Sequence, residues 1–548
     1  MPGRGRNSVP APASAVNSAK PCFNCRRRRL RCDRSRPSCH KCWASGQDCL
    51  GYGTVLRWAN APAVRGKLVG QLAAGPKALS SSPNSSKAIE EPEPRMRPRS
   101  APAAARLGDC NRPCLFVNPS LLDPLVNNPN QNERHYLHHF ATVVCRDLIS
   151  IDHNQNPFRT LIPLAASFDF LEAIIIATGA MHLASLHQLR LGDPGFGDGR
   201  REMLDALVAK DRAIRLLRSA VDNVTPANQA MVLSATVFFI NLDLIDSGKG
   251  GWQAHIEAAS TLMSTLHGPS RMLMDRSLMS LVDAIAADWL TYQILASAIS
   301  GVPFPSWDKH DLANLFSILK RAEPYSYHCC PPEILLITLS ASRLCSPDAA
   351  DTASDRNRIE IARSLFRQAR SVDVKQWVRN IRGLPPQDDL DARVSVAAAH
   401  RATACLYIVL AVPEVAVEGY DNYDPASAQP PLLDQLVREI LGHLAAISID
   451  HVHLKATIWP TFVAGAQTDD PLQREWCVER MQGLWKRNPW ICPWGYVRTA
   501  IQMLRGLWDA RDRERERKRE SGLIGGGEGG SRNWLLELRS VRDKCLIV

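Results

Sequence analysis

The chain has 548 residues, of which 45% are hydrophobic, and its formal net charge is +11 at pH 7. This length exceeds what one hydrophobic core usually organises, so we expect a small module beside a large domain. The basic excess lies in the first fifth of the chain, because residues 1–107 hold 20 Lys or Arg and only 5 Asp or Glu. A diffusely basic protein is therefore excluded, and the charge predicts a nucleic-acid partner for the N-terminal part.

Cysteine usage predicts a reducing compartment. Six of the 16 cysteines lie in one opening cluster and the others are scattered, whereas secreted disulfide scaffolds are short and evenly cross-linked. No secretory hydrophobic segment precedes the cluster, and residues 1–20 are interpreted as a disordered leader. No stretch reaches the roughly 20 apolar residues that a membrane span needs, so no membrane partner is expected. The nearest stretch, 173–189, is predicted to be a buried helix.

The strongest chemical signal is the segment CFNCRRRRLRCDRSRPSCHKCWASGQDC at Cys22–Cys49. Its cysteines are spaced so that the pattern C-x2-C-x6-C occurs twice. Structural zinc is held by four thiolates or imidazoles, so two separate thiolate sites would need eight cysteines. Six are enough for two zinc ions if two thiolates each bridge both metals. The pattern thus predicts a two-zinc site with the ligands Cys22, Cys25, Cys32, Cys39, Cys42 and Cys49.

A site for one zinc ion is the alternative. Its ligands would be the two C-x2-C pairs, Cys22 with Cys25 and Cys39 with Cys42, a spacing that also suits single-zinc DNA-binding modules. That arrangement leaves Cys32 and Cys49 without a role, although each follows a C-x2-C pair after six residues. The two-zinc interpretation is therefore favoured, and a disulfide knot conflicts with a reducing compartment.

The segment resembles the binuclear zinc cluster of fungal transcription factors. CRRRRLRCD matches the basic first half of that family, and SRPSCHKC matches its proline-containing loop and second C-x2-C pair. The resemblance implies two short helix-and-strand halves around two zinc ions, with Cys22 and Cys39 as bridging ligands. It also implies a nuclear, sequence-specific regulator of transcription by RNA polymerase II that is not an enzyme. Together with CLGYG at 49–53, PCFNCRRRRLRCDRS is similar to fungal regulators linked to acriflavine sensitivity, which suggests a role in drug resistance.

The same resemblance assigns DNA contacts. In the family, the end of a short helix enters the major groove of double-stranded DNA over a CGG triplet, which here places Arg28 and Arg29 on bases. Arginine suits this role because it can bond guanine O6 and N7 with two donors. Phosphate contacts, some shared with the groove, are expected from the other basic residues, Arg26, Arg27, Arg31, His40 and Lys41. The alternative function is a zinc-stabilised nucleic-acid or protein interaction module without sequence specificity.

The fold class is predicted to be mainly α, with the zinc module at 21–52, a disordered linker at 53–130 and a large all-α regulatory domain at 131–510. The linker is rich in Pro, Ala, Ser and Gly, a composition that cannot bury enough apolar surface to offset ordering entropy. It sustains no heptad repeat, so a homodimer would have to form through the large domain. Residues 511–548 are predicted to be a charged and glycine-rich tail.

Several helical segments resemble the regulatory domain that accompanies this cluster in fungal proteins. They are NPFRTLIPLA at 156–165, AIIIATGAMHL at 173–183, GWQAHIEAASTLM at 251–263 and IWPTFVAGAQTDDPLQREW at 458–476. The resemblance implies that this domain works with the transcription machinery, and a small-molecule effector is a candidate partner.

The large domain carries no enzyme motif, because the sequence has no HExxH, no Walker loop and no G-x-S-x-G. His135, His138 and His139 are interpreted as an exposed helix face rather than as metal ligands. The last four residues, Cys545 to Val548, have the form of a prenylation box, but its final valine is atypical. No enzymatic activity is expected.

Overall fold

The structure is a computed structural model that describes residues 21–35, 39–45, 49, 125, 128–190, 198–265, 276–302, 309–345, 352–415, 432–486, 492–520, 533–541 and 544–548. The chain divides into two units, Met1–Cys110 and Asn111–Val548. The predicted leader, and the predicted linker up to residue 124, lie outside the described residues.

Helices form both units. The first unit has two short helices, α1 (Phe23–Arg27) and α2 (His40–Ala44). The helices of the second unit are α3 (Gln131–His139), α4 (Cys145–Asp147), α5 (Leu161–Ala165), α6 (Asp169–Leu189), α7 (Arg200–Val221), α8 (Gln229–Asp246), α9 (Trp252–Thr265), α10 (Arg276–Ser300), α11 (Lys309–Ala322), α12 (Pro332–Arg343), α13 (Thr352–Ser371), α14 (Val374–Asn380), α15 (Leu390–Ala411), α16 (Leu432–Ala445), α17 (Ile458–Gln467), α18 (Pro471–Lys486), α19 (Tyr496–Glu520) and α20 (Trp534–Ser540). A π-helical turn at Phe140–Val144 and two 3-10 helices, Pro157–Thr160 and Val452–Thr457, complete the regular structure of the described residues.

The mainly α prediction is confirmed. Among the described residues the regular structure is helical, and β-type pairing is limited to an isolated bridge between Ile149 and Ser326. The helices of the second unit share one large apolar core. Helix α7 shows how an outer helix joins it: Ala206, Ala209 and Ala213 are buried, whereas Leu204 is exposed. Small residues at steps of three and four let this helix lie close against its neighbours.

Three helices are mostly apolar and are largely buried. By length and composition alone, α6, α8 and α15 could each cross a membrane, and 83%, 94% and 83% of their apolar windows are buried inside the protein. The prediction that no stretch is long and apolar enough is therefore wrong for these described helices. Helices that are enclosed by other helices need no polar face, which accounts for their composition.

A glycine allows the closest approach between two of the core helices. Gly179 of α6 lies against α3, and a Cβ atom built on it would be 2.4 Å from the carbonyl oxygen of Tyr136. That oxygen belongs to the backbone of α3, so a side chain at residue 179 would push the two helices apart.

One histidine of α3 differs from its sequence interpretation. His135 and His138 are exposed as predicted, but His139 is buried. Its Nε2 lies 3.0 Å from Nδ1 of His182, whose Nε2 lies 3.1 Å from Oδ2 of Asp147. Burial lowers the pKa of His139 to about 3, so this ring is neutral in the core.

The helical unit continues past residue 510. Trp534 and Leu535 of α20 are buried, and so are all the residues from Cys545 to Val548. The amide of Leu546 donates to the carbonyl of Gly248 at 2.8 Å. The segment predicted as a tail thus includes residues of the core, and the Cys545 thiol is not accessible in this fold.

We expect Gly179→Ala to destabilise the second unit, although alanine favours helices over glycine. Overpacking against the α3 backbone costs about 1–3 kcal/mol, which outweighs the gain of about 0.4–1 kcal/mol from the lower entropy of the unfolded chain when alanine replaces glycine. The control is Gly442→Ala on α16, where nothing lies within 4 Å of the added atom. Urea unfolding followed by circular dichroism should show a lower midpoint for the first variant only. Equal midpoints would contradict this account of the α3–α6 contact.

Candidate metal centre and nucleic-acid interface

The two halves of the cysteine segment repeat the same hydrogen bonds. The amide of Cys25 donates to the Cys22 sulfur at 3.4 Å, and the amide of Cys42 donates to the Cys39 sulfur at 3.3 Å. In each C-x2-C pair, the sulfur of the first cysteine thus accepts a hydrogen bond from the backbone amide three residues later. A helix cap makes the same bond, and a short helix starts at this point. The amides of Cys22 and Cys39 in turn donate to the sulfurs of Cys32 at 3.4 Å and Cys49 at 3.5 Å. The sequence repeat is therefore also a structural repeat.

The six sulfur atoms form two groups of four that share two members. One group is Cys22, Cys25, Cys32 and Cys39, and the other is Cys22, Cys39, Cys42 and Cys49. Within each group all the sulfur atoms lie within 4.8 Å of one another. The shared pair, Cys22 and Cys39, consists of the two residues that the family resemblance assigns as bridging ligands.

The sulfur spacing fits tetrahedral zinc. Zinc–sulfur bonds of about 2.3 Å place the corners of a tetrahedron about 3.8 Å apart. The Cys22 sulfur lies 3.5 Å from that of Cys39 and 3.8 Å from that of Cys42, and the sulfurs of Cys25 and Cys39 are 3.7 Å apart. A disulfide needs about 2.05 Å, so these pairs are not disulfides. The donor set is therefore that of a closed structural zinc site.

Burial disfavours the charged form of the two shared thiols. Burial raises the pKa of the Cys22 and Cys39 thiols, so without a cation these groups keep their protons. Two zinc ions among six thiolates leave a small negative charge. Four backbone amides point at the sulfur atoms, as described above, and they stabilise that charge.

Asp33 is a functional residue that sequence reasoning missed. Its carboxylate accepts the amide of His40 at 3.0 Å and the amide of Lys41 at 3.1 Å, the first two amides of α2. The Ser35 hydroxyl also donates to it, and these bonds lower the pKa of Asp33 below its usual range. Asp33 directly follows Cys32 and so ties the first half to the start of the second. In the sequence, the only indication of this role was that Asp33 directly follows a cysteine of the repeat.

The arginine run ends α1 in a strained conformation. The amide of Leu30 donates to the carbonyl of Cys25 at 2.9 Å, and the amide of Arg29 donates to that of Arg26 at 3.3 Å. This pattern is a Schellman motif, and it places Arg29 in the left-handed region with φ of 55°. Glycine normally occupies this position, and an arginine there costs about 1–2 kcal/mol. The motif leaves the Arg29 side chain exposed directly past the end of α1.

The predicted DNA contacts lie on the surface of the first unit. All those whose side chains the structure describes are exposed, namely Arg26, Arg28, Arg29, Arg31, His40 and Lys41. The side chain of Arg27, the last residue of α1, lies outside the described part. The first four arginines lie on α1 or directly after it, and His40 and Lys41 begin α2. The individual contacts stay predictions.

The chain is similar to known fungal regulators along most of its length. Residues 20–59 match the fungal Zn(2)-Cys(6) binuclear cluster domain. Residues 135–541 match the fungal specific transcription factor domain. The acriflavine sensitivity control protein acr-2 of Neurospora crassa is 41% identical over 97% of this chain and 98% of its own length. No solved structure matches the chain.

Proposed function

Because the chain belongs to the fungal specific transcription factors with a Zn(2)-Cys(6) binuclear cluster, we propose that its six clustered cysteines hold two zinc ions and that its arginines read a GC-rich DNA site. The protein is a DNA-binding transcription regulator and not an enzyme, and members of this family act in the nucleus. The observation that carries the proposal is the exposed Arg29, held in a strained conformation at the end of the helix that the zinc ligands start.

Cys22 and Cys39 are the bridging ligands in this proposal. Cys25 and Cys32 complete the first site, and Cys42 and Cys49 complete the second, in agreement with the two sulfur groups. Bound zinc supplies the positive charge that keeps buried thiolates ionised. The chain's own part is to hold the sulfurs at tetrahedral spacing and to present the end of α1 to solvent.

Arg28 and Arg29 contact bases in this proposal, and a CGG-like triplet is the preferred site. A guanidinium can donate to both O6 and N7 of guanine, and its planar fork holds the two donors at a fixed spacing. The remaining basic residues contact phosphates, which fix the position of the helix but carry no sequence information. The alternative is a zinc-stabilised interaction module without sequence specificity, which would bind duplexes of different sequence with equal affinity.

The relative's name suggests a biological setting. That protein is named for the control of acriflavine sensitivity, and we extend this role to the present chain as a nuclear regulator of genes that determine drug tolerance. The helical unit then joins the DNA-bound cluster to the transcription machinery, and it could also pair with a second copy.

We expect Cys32→Ala and Cys49→Ala each to lower the zinc content below two ions per chain, because each removes a corner of one site. Zinc per chain is measured by mass spectrometry after dialysis of the full-length protein. Cys477→Ala is the matched control, since its thiol is buried in the helical unit. The single-zinc alternative predicts that both cluster variants keep the same zinc content as the unmodified chain.

Substitution of Arg29 should separate base reading from folding. Arg29→Gly relieves the left-handed strain, so the zinc content should be unchanged, yet discrimination of CGG from single-base variants should fall by about 1–3 kcal/mol. Arg27→Ala should instead weaken binding to all DNA sequences equally. It should also reduce by about one the slope of the logarithm of DNA affinity against the logarithm of salt concentration. Fluorescence anisotropy with labelled duplexes at several salt concentrations gives both quantities. An Arg29→Gly protein that still prefers CGG would assign base reading to other residues.

Deletion of the gene should change growth on acriflavine relative to the parent strain. The wild-type gene should restore growth, and a Cys22→Ala gene should not, because the cluster would lose a ligand of both sites. Genomic occupancy with and without the drug would then identify the target genes. Identical growth of the deletion strain and its parent at every drug concentration would exclude this role.

A further inference from the structure

A cavity in the helical unit carries an inference beyond DNA binding. Its volume is about 280 Å³, close to the lower end of the range for small-molecule sites, about 300–1,000 Å³. It lies beside the 3-10 helix Val452–Thr457, between the chain around α4 and the later part of α18. Much of its wall is apolar, and the apolar residues are Ile151, Ile449, Val452, Leu454 and Leu484.

Four charged groups of the cavity wall, Arg146, Asp147, Asp152 and Lys455, are already paired. The Lys455 ammonium donates to the carbonyls of Arg146 at 3.1 Å and Asp147 at 3.2 Å, and also to that of Ile149. The Asp147 carboxylate contacts Nε of Arg146 at 3.1 Å and Nε2 of His182 at 3.1 Å. Asp152 pairs with Arg159 at 2.6 Å. A charged occupant beside these four groups would therefore be desolvated without gaining a new partner there, so a neutral molecule fits better.

Two buried donors at the inner end, the Tyr327 hydroxyl and the Trp494 indole N–H, lack a hydrogen-bond partner among the residues that the structure describes. Asp147, Lys455, Leu484 and Cys492 also line a smaller space that Tyr327, Trp494 and Tyr496 close. Trp494 is 5% exposed. Its indole N–H has no hydrogen-bond partner among the residues that the structure describes. Buried donors are nearly always paired, so an acceptor is expected in this space.

We propose that this cavity binds a compact, neutral, mainly apolar molecule whose hydrogen-bond acceptor, such as a carbonyl oxygen, bonds to the Trp494 indole N–H. The inner space has a volume of about 10 Å³, which is room for roughly one oxygen-sized group. The apolar body of the ligand fills the larger cavity. This inference deepens the regulatory role proposed for the helical unit and rests on it.

Gly483 of α18 offers a way to close the cavity. A Cβ atom at this residue would lie 2.4 Å from Cγ1 of Ile449 and 3.1 Å from Cδ2 of Leu454, and both side chains are cavity walls. Gly483→Ala must therefore displace a wall, and alanine retains the helix. Gly442→Ala is again the matched control, because its added methyl group meets nothing within 4 Å.

The test uses prodan, a neutral naphthalene ketone whose fluorescence moves to the blue in apolar surroundings. The full-length, zinc-loaded chain is titrated with this probe. We expect saturable binding with a blue shift, at least tenfold weaker binding to Gly483→Ala and unchanged binding to Gly442→Ala. Trp494→Phe keeps an apolar ring but removes the donor, so binding should weaken about three- to tenfold.

A second probe isolates the hydrogen bond. The related 2-dimethylaminonaphthalene lacks the carbonyl, so it should bind the unmodified chain and Trp494→Phe alike. Equal weakening of both probes by Trp494→Phe would overturn the role of the indole N–H. The proposal would be overturned if prodan showed no saturable binding, which is the result expected if the inner space holds only a water molecule. It would also be overturned if Gly483→Ala left prodan binding unchanged.

DNA affinity is measured on the same samples with a labelled CGG duplex. This second measurement distinguishes failure of the cavity proposal from failure of the proposed DNA binding. Binding of the duplex without binding of prodan would contradict the cavity proposal alone. Binding of prodan at this cavity without affinity for DNA would contradict the proposed DNA-reading function. Gly483→Ala should leave the affinity for DNA unchanged, because its cavity lies within the helical unit.

Discussion

The first unit depends on the sharing of two thiolates. A module of this size cannot bury enough apolar surface to fold by itself, and small domains then rely on metals or disulfides. Its buried core consists of cysteine side chains, with Cys49 packed against the others. Six sulfurs serve two tetrahedra only if Cys22 and Cys39 belong to both. Metal coordination thus replaces the hydrophobic core, and the positions of the surrounding residues follow from it.

The arginines depend on the same constraint. Helix α1 starts where the Cys22 sulfur accepts an amide, and the carbonyl of Cys25 accepts the amide that closes its end. Two cysteines of the cluster therefore fix both ends of the helix. Arg29 lies just beyond this end, in a conformation that only the surrounding bonds maintain. A shift of Cys22 or Cys25 would therefore also move Arg29, so in the proposed function metal binding and base contact depend on the same cysteines.

The sequence allowed prediction of the all-helical class and of the cysteine repeat, because both are local patterns with a fixed period. It did not predict Asp33, whose role depends on amides that are seven and eight residues away. The burial of His139 depends on His182 and Asp147, which the chain brings together only by tertiary packing. The burial of residues 545–548 likewise requires contacts with distant helices, and composition alone favoured a tail for that segment. Patterns of spacing identify ligands, whereas long-range packing decides which polar residues become buried.

The polar interior of the second unit explains why its cavity can be selective. His453 contacts Asp388 at 2.9 Å, and the same carboxylate pairs with Arg393 at 2.6 Å, all of them nearly inaccessible to solvent. Lys455, two residues further along the same 3-10 helix, binds the carbonyls next to α4. These bonds hold the cavity wall from both sides, because breaking a buried charge pair is costly. A wall held in this way cannot adapt to many shapes, so selectivity must come from the size of the cavity and from the Trp494 donor at its inner end.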